Sequence, residues 1–482
     1  MAARPAGGPG GPAAAPGALQ STNRAEFAVV VKGSEETALW LADLLRAELL
    51  LVEVAPVCRN TRWLLLVRLK PEDAPVMAEK VLKHFVCASP EELFSLTERQ
   101  EIVQNVIDGI RAEQLTEVVG LGHRCVLIHP GQSVFAVCCR ADIVVALFAP
   151  HDYELLGAIR RQWLSNLTIP VHMIKVYFGI RIAFYYAFLS FYTWSLMVPM
   201  TVGVLVFKHR DSLQWRIAGV LFNLLWNTVI LEVWRKRADY LSCFWGLHEQ
   251  ATPSRNRLLF TYGENMLAQR AFRILISQDI QLLRKQVYIQ LLMSFTKENL
   301  VEIVMPSALH RLTSLVRHMI RREPSYLPGV HSILSEADMT KYTSTYVDYY
   351  KMFSQFAFVF LFGPVVPLAP LVAFFGNMLE MLIVGYKLTV VFQRPLKIGH
   401  EGIGIWEPAF RAIGFLAVPT NIALICVENP DSLSALSRLF TDTEFVLFLV
   451  GIEHALLLLK LTLQYALRSE IHCPHYSPTV TT

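Results

Sequence analysis

The chain has 482 residues, a formal net charge of +4, and 53% hydrophobic, 11% aromatic and 17% charged residues, with a mean hydropathy of +0.39. That is more apolar mass than a soluble domain buries, so lipid is expected to be part of its solvent. The small net charge, with Lys and Arg in no single long run, excludes a nucleic-acid footprint, and the 8 cysteines show neither CxxC spacing nor an extracellular framework, so they read as reduced or lipid-embedded thiols.

Residues 1–22 are dominated by Ala, Gly and Pro and lack the apolar core of a signal peptide, which predicts a disordered tail over 1–23. From Arg24 the pattern changes. EFAVVVKG and WLLLVRLK read as strand-like runs, with two further runs around CVLIHP and DIVVALFAPHD, while SEETALWLADLLRAELL (Ser34 as its cap), PEDAPVMAEKVLKHF and LTERQEIVQNVIDGIRAE read as amphipathic helices. This mixture predicts an α/β module of ferredoxin-like type over 24–165. None of its apolar runs reaches the ~18 residues needed to cross hydrocarbon, so it is expected in the cytosol.

A membrane domain is expected over 166–467, followed by a cytosolic tail over 468–482. Spans near 180–207 and 215–236 are long enough to cross, and the basic Arg235, Lys236 and Arg237 place the end of the second in the cytosol. Further spans are predicted near 350–368, 370–392, 405–427 and 443–467, with the prolines of GPVVPLAP breaking the helix between Phe362 and Leu371. The stretch 280–309 contains Arg284, Lys285, Lys297, Glu298 and Glu302 and has basic residues on both flanks, so it is expected to dip into the membrane or lie along it with both ends cytosolic.

From Met352 to Phe392 only Glu380 and Lys387 are charged, and Glu298, Glu302, Asp348 and Lys351 stand on the helices leading in. A carboxylate at bilayer depth costs on the order of a few kcal/mol, and so normally faces a bundle interior and pairs with a cation, a metal or water. Simpler roles stay open. Glu298 and Glu302 with Arg284 and Lys285 would also suit a solvated helix face. Glu380 can pair with Lys387 on the same face, and Asp348 with Lys351 is also the spacing of an ordinary surface pair. No GxSxG, P-loop, HExxH or glycine-rich dinucleotide turn is present, so an enzyme is not expected.

YFGIRIAFYYAFLSFYTWSLMVP (Tyr177–Pro199), FNLLWNTVILEVWRKR (Phe222–Arg237), DIQLLRKQ (Asp279–Gln286), QFAFVFLFGPVVPLAPLVAFFGNMLE (Gln355–Glu380), QRP with IGIW (Gln393–Trp406) and IEHALLLLK (Ile452–Lys460), in this order, resemble successive signatures of the anoctamin family. HPGQS (His129–Ser133) and APHD (Ala149–Asp152) resemble the end of that family's cytosolic domain, and the wording is nearest the intracellular branch that holds anoctamins eight and ten. The resemblance implies a homodimer of ten-helix subunits that passes chloride or other anions, or scrambles membrane phospholipids. It implies gating by calcium bound among the sixth, seventh and eighth helices, and residence in the endoplasmic reticulum or another intracellular membrane, with the plasma membrane as the alternative.

Calcium takes six to eight oxygens, so several carboxylates must converge. Carried over position by position, the resemblance makes Glu298 and Glu302, one turn apart on the sixth helix, Asp348 on the seventh and Glu380 on the eighth the remaining ligands. Lys351 and Val384 occupy two positions where the family has acids. Lys351 is then a tethered cation, and calcium binding is expected to be weakened or lost. The family's third to fifth spanning helices, placed between the FWGL-like element (Phe244–Leu247) and DIQLLRKQ, are missing, and in the family they form much of one groove wall. Two expectations follow: a channel or scramblase with a degraded calcium site, or a non-conducting truncated anoctamin that regulates or tethers and dimerises through its last helix.

Overall fold

The computed structural model describes residues 25–58, 62–70, 96–119, 125–166, 169–245, 281–293, 308, 312, 328–342, 345–395, 403–428 and 440–468. The N-terminal part runs β1 (Phe27–Lys32), α1 (Glu35–Ala47), β2 (Leu50–Cys58), β3 (Arg62–Leu69), α2 (Leu96–Gly109), β4 (Thr116–Val119), β5 (Cys125–Ile128), α3 (Val134–Arg140) and β6 (Val144–Phe148). Four strands form one antiparallel sheet in the order β2-β3-β1-β6, and β4 pairs with β5 in a separate ribbon. Ser34 caps α1, its hydroxyl oxygen accepting the Thr37 N–H at 3.3 Å.

Phe27, Val29 and Val31 of β1 pack against α1 and α2, whereas Ala28 and Val30 face a second core that includes Ile333. A strand covered on both faces carries an unbroken apolar run, which is why FAVVVK does not alternate. The second cover comes from α10 (Pro328–Ala337), far along the chain and not foreseen from the sequence. The helix expected at PEDAPVMAEKVLKHF lies outside the described residues.

Helices α4 (Tyr153–Asn166) and α5 (Val171–Phe178) lead into α6 (Ile180–Ser195), α7 (Met197–Lys208) and α8 (Leu213–Phe244). A helix over 281–293 (α9) and α10 precede α11 (Tyr346–Leu361), α12 (Ala369–Tyr386) with a π turn over Lys387–Val391, α13 (Trp406–Glu428) and α14 (Asp442–Leu467). Among the described residues five stretches are long and apolar enough to cross a membrane: Ile180–Lys208, Leu213–Phe244, Ala369–Val391, Trp406–Glu428 and Thr443–Leu467. The chain is therefore mostly helical, with a small N-terminal antiparallel sheet. α11 has 16 residues, about 24 Å at ~1.5 Å per residue, less than the ~30 Å of hydrocarbon. It stops at Leu361 because Pro364 and Pro367 cannot continue the hydrogen-bond ladder, and the chain turns back into α12 as an antiparallel hairpin.

The two ends of the bundle are distinct. Trp245, after α8, packs on Phe184 with ring centroids 4.9 Å apart, and Lys175 lies over its ring at 5.6 Å, beside the N-terminal domain. Arg284 of α9 donates to the Val365 carbonyl at 3.0 Å and to the Glu428 carboxylate at 2.6 Å, and Glu428 also meets Arg216 at 3.7 Å. Those partners mark the opposite end. The described start of the 280–309 stretch therefore sits beside the turn between α11 and α12, where Glu428 balances Arg284. One thiol expectation also changes, since Cys125, Cys138, Cys139 and Cys426 are free while Cys243 is disulfide-bonded.

Candidate functional site: paired charges in the α11–α12 hairpin

Antiparallel packing of α11 on α12 with its π turn brings the first turns of one helix beside the last turns of the other. Two rungs of charge result. Lys351 Nζ lies 3.7 Å from Glu380 Oε1, and Lys387 Nζ lies 3.8 Å from Asp348 Oδ1. One rung further in, Gln355 Nε2 donates to the Ala373 carbonyl at 3.1 Å. Asp348, Lys351, Glu380 and Lys387 are all buried, between 4% and 7% exposed. Tyr342 donates its hydroxyl proton to Asp348 Oδ2 at 2.7 Å, and the rings of Tyr185 and Tyr349 wall the site, their centroids 5.2 Å apart.

Both contacts run between the helices, Glu380 with Lys351 and Asp348 with Lys387, pairings that spacing along one helix does not give. Register decides this: at the open end of an antiparallel hairpin, an early residue of α11 lies opposite a late residue of the α12 segment. The lysine–carboxylate separations exceed hydrogen-bonding distance, so these are charge contacts, and Glu380 Oε1 has no hydrogen-bond partner among the described residues.

Two carboxylates and two ammonium groups are locally neutral. Val384, one turn beyond Glu380, is buried and supplies no oxygen. Among the described residues no group of three or more His, Cys, Asp or Glu side chains is placed to hold a metal, and a calcium ion wants six to eight oxygens. The described side chains therefore do not fit a calcium cage by themselves. Glu298 and Glu302 lie outside the described residues.

A second buried polar cluster joins the N-terminal domain to the membrane domain, and sequence reasoning missed its roles. APHD and QRP, noticed only for their likeness to a family, meet here: Ala149 and Arg394 form an antiparallel bridge. His151 Nε2 lies 3.3 Å from the Phe392 carbonyl and Nδ1 lies 2.9 Å from the Tyr177 hydroxyl, so the neutral ring donates through Nε2 and accepts through Nδ1. Glu336 accepts the His151 backbone N–H at 2.9 Å and the Tyr153 hydroxyl at 2.5 Å. Arg394 donates to the Tyr177 carbonyl from Nε at 3.1 Å and lies 3.9 Å over the Tyr177 ring. Burial pushes His151 down to about 4 and Glu336 up to about 7. The only sequence signal was an ionisable residue in an apolar run, which points to burial but not to a partner.

In α14, Lys460 is 2% exposed. Its ammonium lies 3.4 Å from Asn227 Oδ1 and 5.4 Å over the Phe415 ring.

Comparison with known proteins gives this geometry a family. The family model described as "Anoctamin: Calcium-activated chloride channel" matches residues 174–273 and 258–473. Anoctamin-10 of Mus musculus is 24% identical over 505 positions, covering 78% of this chain and 75% of its own length. Anoctamin-10 of Homo sapiens is 23% identical over 506 positions, covering 78% and 76%. Anoctamin-8 of Mus musculus is 34% identical over 160 residues, 32% of this chain and 15% of the relative. The 505 positions take up 78% of 482 residues, about 376, which leaves about 129 positions of the mouse relative with no counterpart here. The two pieces of the family match overlap at 258–273, between α8 and α9. With the match running from α5 through α14, well over half of its length, the chain belongs to the anoctamin family.

Proposed function

We propose that this protein is an anoctamin-type membrane transporter, an anion (chloride) channel or phospholipid scramblase and not an enzyme, in which two lysines supply the charge that calcium brings to such a site. One observation carries the reading: each buried carboxylate of the α11–α12 hairpin faces an ammonium within 4 Å, Glu380 facing Lys351 and Asp348 facing Lys387. An internal cation gives buried carboxylates part of the Coulombic compensation that a bound ion would give. Calcium dependence is therefore weakened or absent, and any residual calcium affinity rests on Glu298, Glu302, Asp348 and Glu380. The partners are membrane lipids, chloride and a second copy of the chain, in the endoplasmic reticulum or another intracellular membrane. Outward-facing Val446, Phe448 and Tyr465 on α14 support a dimer face as well as lipid contact. The strand order β2-β3-β1-β6, with α1 between the first two strands, supports a ferredoxin-like reading of the N-terminal domain.

A second reading is favoured by the two-piece family match and the unmatched positions of the relatives. Helices that form much of one groove wall in the family are missing, which suits a non-conducting protein that regulates or tethers. Reconstituting the full chain in liposomes and measuring chloride efflux and lipid flip, with and without calcium, separates the two. Transport without calcium supports the lysine-compensated transporter. Transport only with calcium overturns the role given to the lysines, and no transport in either assay leaves the regulatory reading.

A further inference from the structure

Among the described residues of α14 only Lys460 is buried, at 2% exposed. It stands seven residues before Leu467, about 10 Å inside the end of that candidate span at ~1.5 Å per residue. A lysine at that depth ordinarily runs its stem toward water. This one turns into the contact of α14 with α8 and α13, where its ammonium lies 3.4 Å from Asn227 Oδ1 and 5.4 Å over the Phe415 ring. No carboxylate of the described residues pairs with it, whereas Lys351 and Lys387 of the hairpin each face one.

The pair is rich in donors. An ammonium carries three N–H groups and a side-chain amide nitrogen two. Asn227 is fully buried, and its Nδ2 has no hydrogen-bond partner among the described residues. Gly414 of α13 is what lets the two groups meet: a Cβ there would lie 3.0 Å from Lys460 Nζ and closer still to Asn227 Oδ1. Leu224, Val418 and Leu457 pack the same three helices together, so apolar side chains flank the polar pair. One turn earlier on α8, Asn223 has its Oδ1 unpartnered among the described residues. It lines a cavity of about 10 Å³ with Gly363, Pro364 and Arg216, room for about one water. The polar column thus continues from Lys460 toward the end of the bundle where Arg216 meets Glu428.

We infer that Lys460 and Asn227 bind one small inorganic anion of the halide type inside the α8–α13–α14 contact. A buried charge needs an opposite charge, and neither a neutral amide oxygen nor a ring face carries one. A monatomic anion accepts from the ammonium and from Asn227 Nδ2 together, which answers the charge and the unpartnered donor at once. The flanking leucines and valine exclude a bulky phosphorylated headgroup. The site is separate from the charges of the α11–α12 hairpin, and binding there does not depend on whether the chain conducts. A bound anion would pin α14, whose other described side chains all keep some exposure, to α8 and α13.

The test uses the full chain in detergent, with sodium chloride exchanged for sodium gluconate at constant ionic strength. Melting temperature and chloride-35 line broadening are followed in wild type, Lys460→Met and Asn227→Asp. Wild type is expected to broaden the chloride signal and to melt about 2 °C or more higher in chloride, saturably. Lys460→Met removes the cation and should lose both responses. Asn227→Asp sets a carboxylate beside the ammonium, so it should lose both responses while melting in gluconate at least as high as wild type does. No saturable chloride response in wild type, the result expected of a site that holds only water, overturns the proposal. So does a wild-type response kept by either variant. Should Lys460→Met fail to fold, Asn227→Asp decides the matter alone, because it keeps the lysine and supplies the missing charge.

Discussion

Lys351 of α11 and Glu380 of α12 meet 3.7 Å apart inside the hairpin, one rung from the 3.8 Å contact between Lys387 and Asp348. All four are nearly removed from solvent, so each charge depends on its opposite number. Removing one member strands the other, which costs roughly 3–5 kcal/mol, whereas replacing both by apolar groups of similar volume is often neutral or stabilising. Lys351→Met and Glu380→Met are each expected to lower stability by that order, and the double substitution by clearly less. A double-mutant cycle from denaturant unfolding in detergent checks this, and additive losses would show that the two charges are not coupled.

Reversing the charge at Lys351 should turn the rung into a cation trap. Lys351→Glu sets a new carboxylate beside Glu380 and near Asp348, and like charges that close favour binding of a divalent ion. Calcium is expected to raise the melting temperature of this variant and to do so at least about tenfold more tightly than in wild type. Equal calcium titrations of the two proteins would sink the compensation argument.

The junction cluster predicts a pH signature. Burial lowers His151 to about 4 from 6.5, so its contribution to stability is present above its unfolded value and lost as pH falls through about 4. Burial raises Glu336 to about 7 from 4.5, so its contribution is present below about 4.5 and lost as pH rises through about 7. The slopes oppose each other across most of that window, which leaves the wild type nearly flat. Glu336→Gln uncovers His151 alone, and stability is then expected to rise on going from about pH 4 to 6.5 by on the order of 3 kcal/mol. His151→Gln should show the reverse slope. Melting curves across this range decide it, and unchanged profiles in both variants would remove the cluster from the pH response.

Close helix packing gives a fourth prediction. A Cβ built on Gly203 of α7 would overlap the carbonyl oxygen of Pro367, in the turn between α11 and α12, and backbone cannot yield as a side chain can. Gly203→Ala is expected to destabilise the chain by about 1–3 kcal/mol or more, by forcing α7 off the hairpin. Gly451→Ala in α14, where nothing lies within 4 Å of an added Cβ, is the control and should unfold like wild type.

Much of this was legible before any coordinates. Long apolar runs announce membrane helices because hydrocarbon demands about twenty residues of them, and the closely spaced Pro364 and Pro367 mark the end of α11. Ser34 caps α1 through the backbone three residues away, an equally local device. The family signatures were likewise contiguous words. Other features were hidden. Spacing along one helix offered Lys387 as a neighbour for Glu380, and could not show its contact with Asp348 across the hairpin. Glu336 had no signal at all: its partners His151 and Tyr153 lie 185 and 183 residues earlier in the chain.

The sequence by itself determined that this chain is a helical membrane protein of one family, with a few charged residues set among long apolar runs. Those properties are set by residue type and spacing along the chain. Only the tertiary structure decided which charge answers which, because antiparallel register aligns Asp348 with Lys387 and Lys351 with Glu380. It alone set Lys460 of α14 against Asn227 of α8. Electrostatic energy depends on distance through space and on exclusion of water, and neither is written in the order of residues.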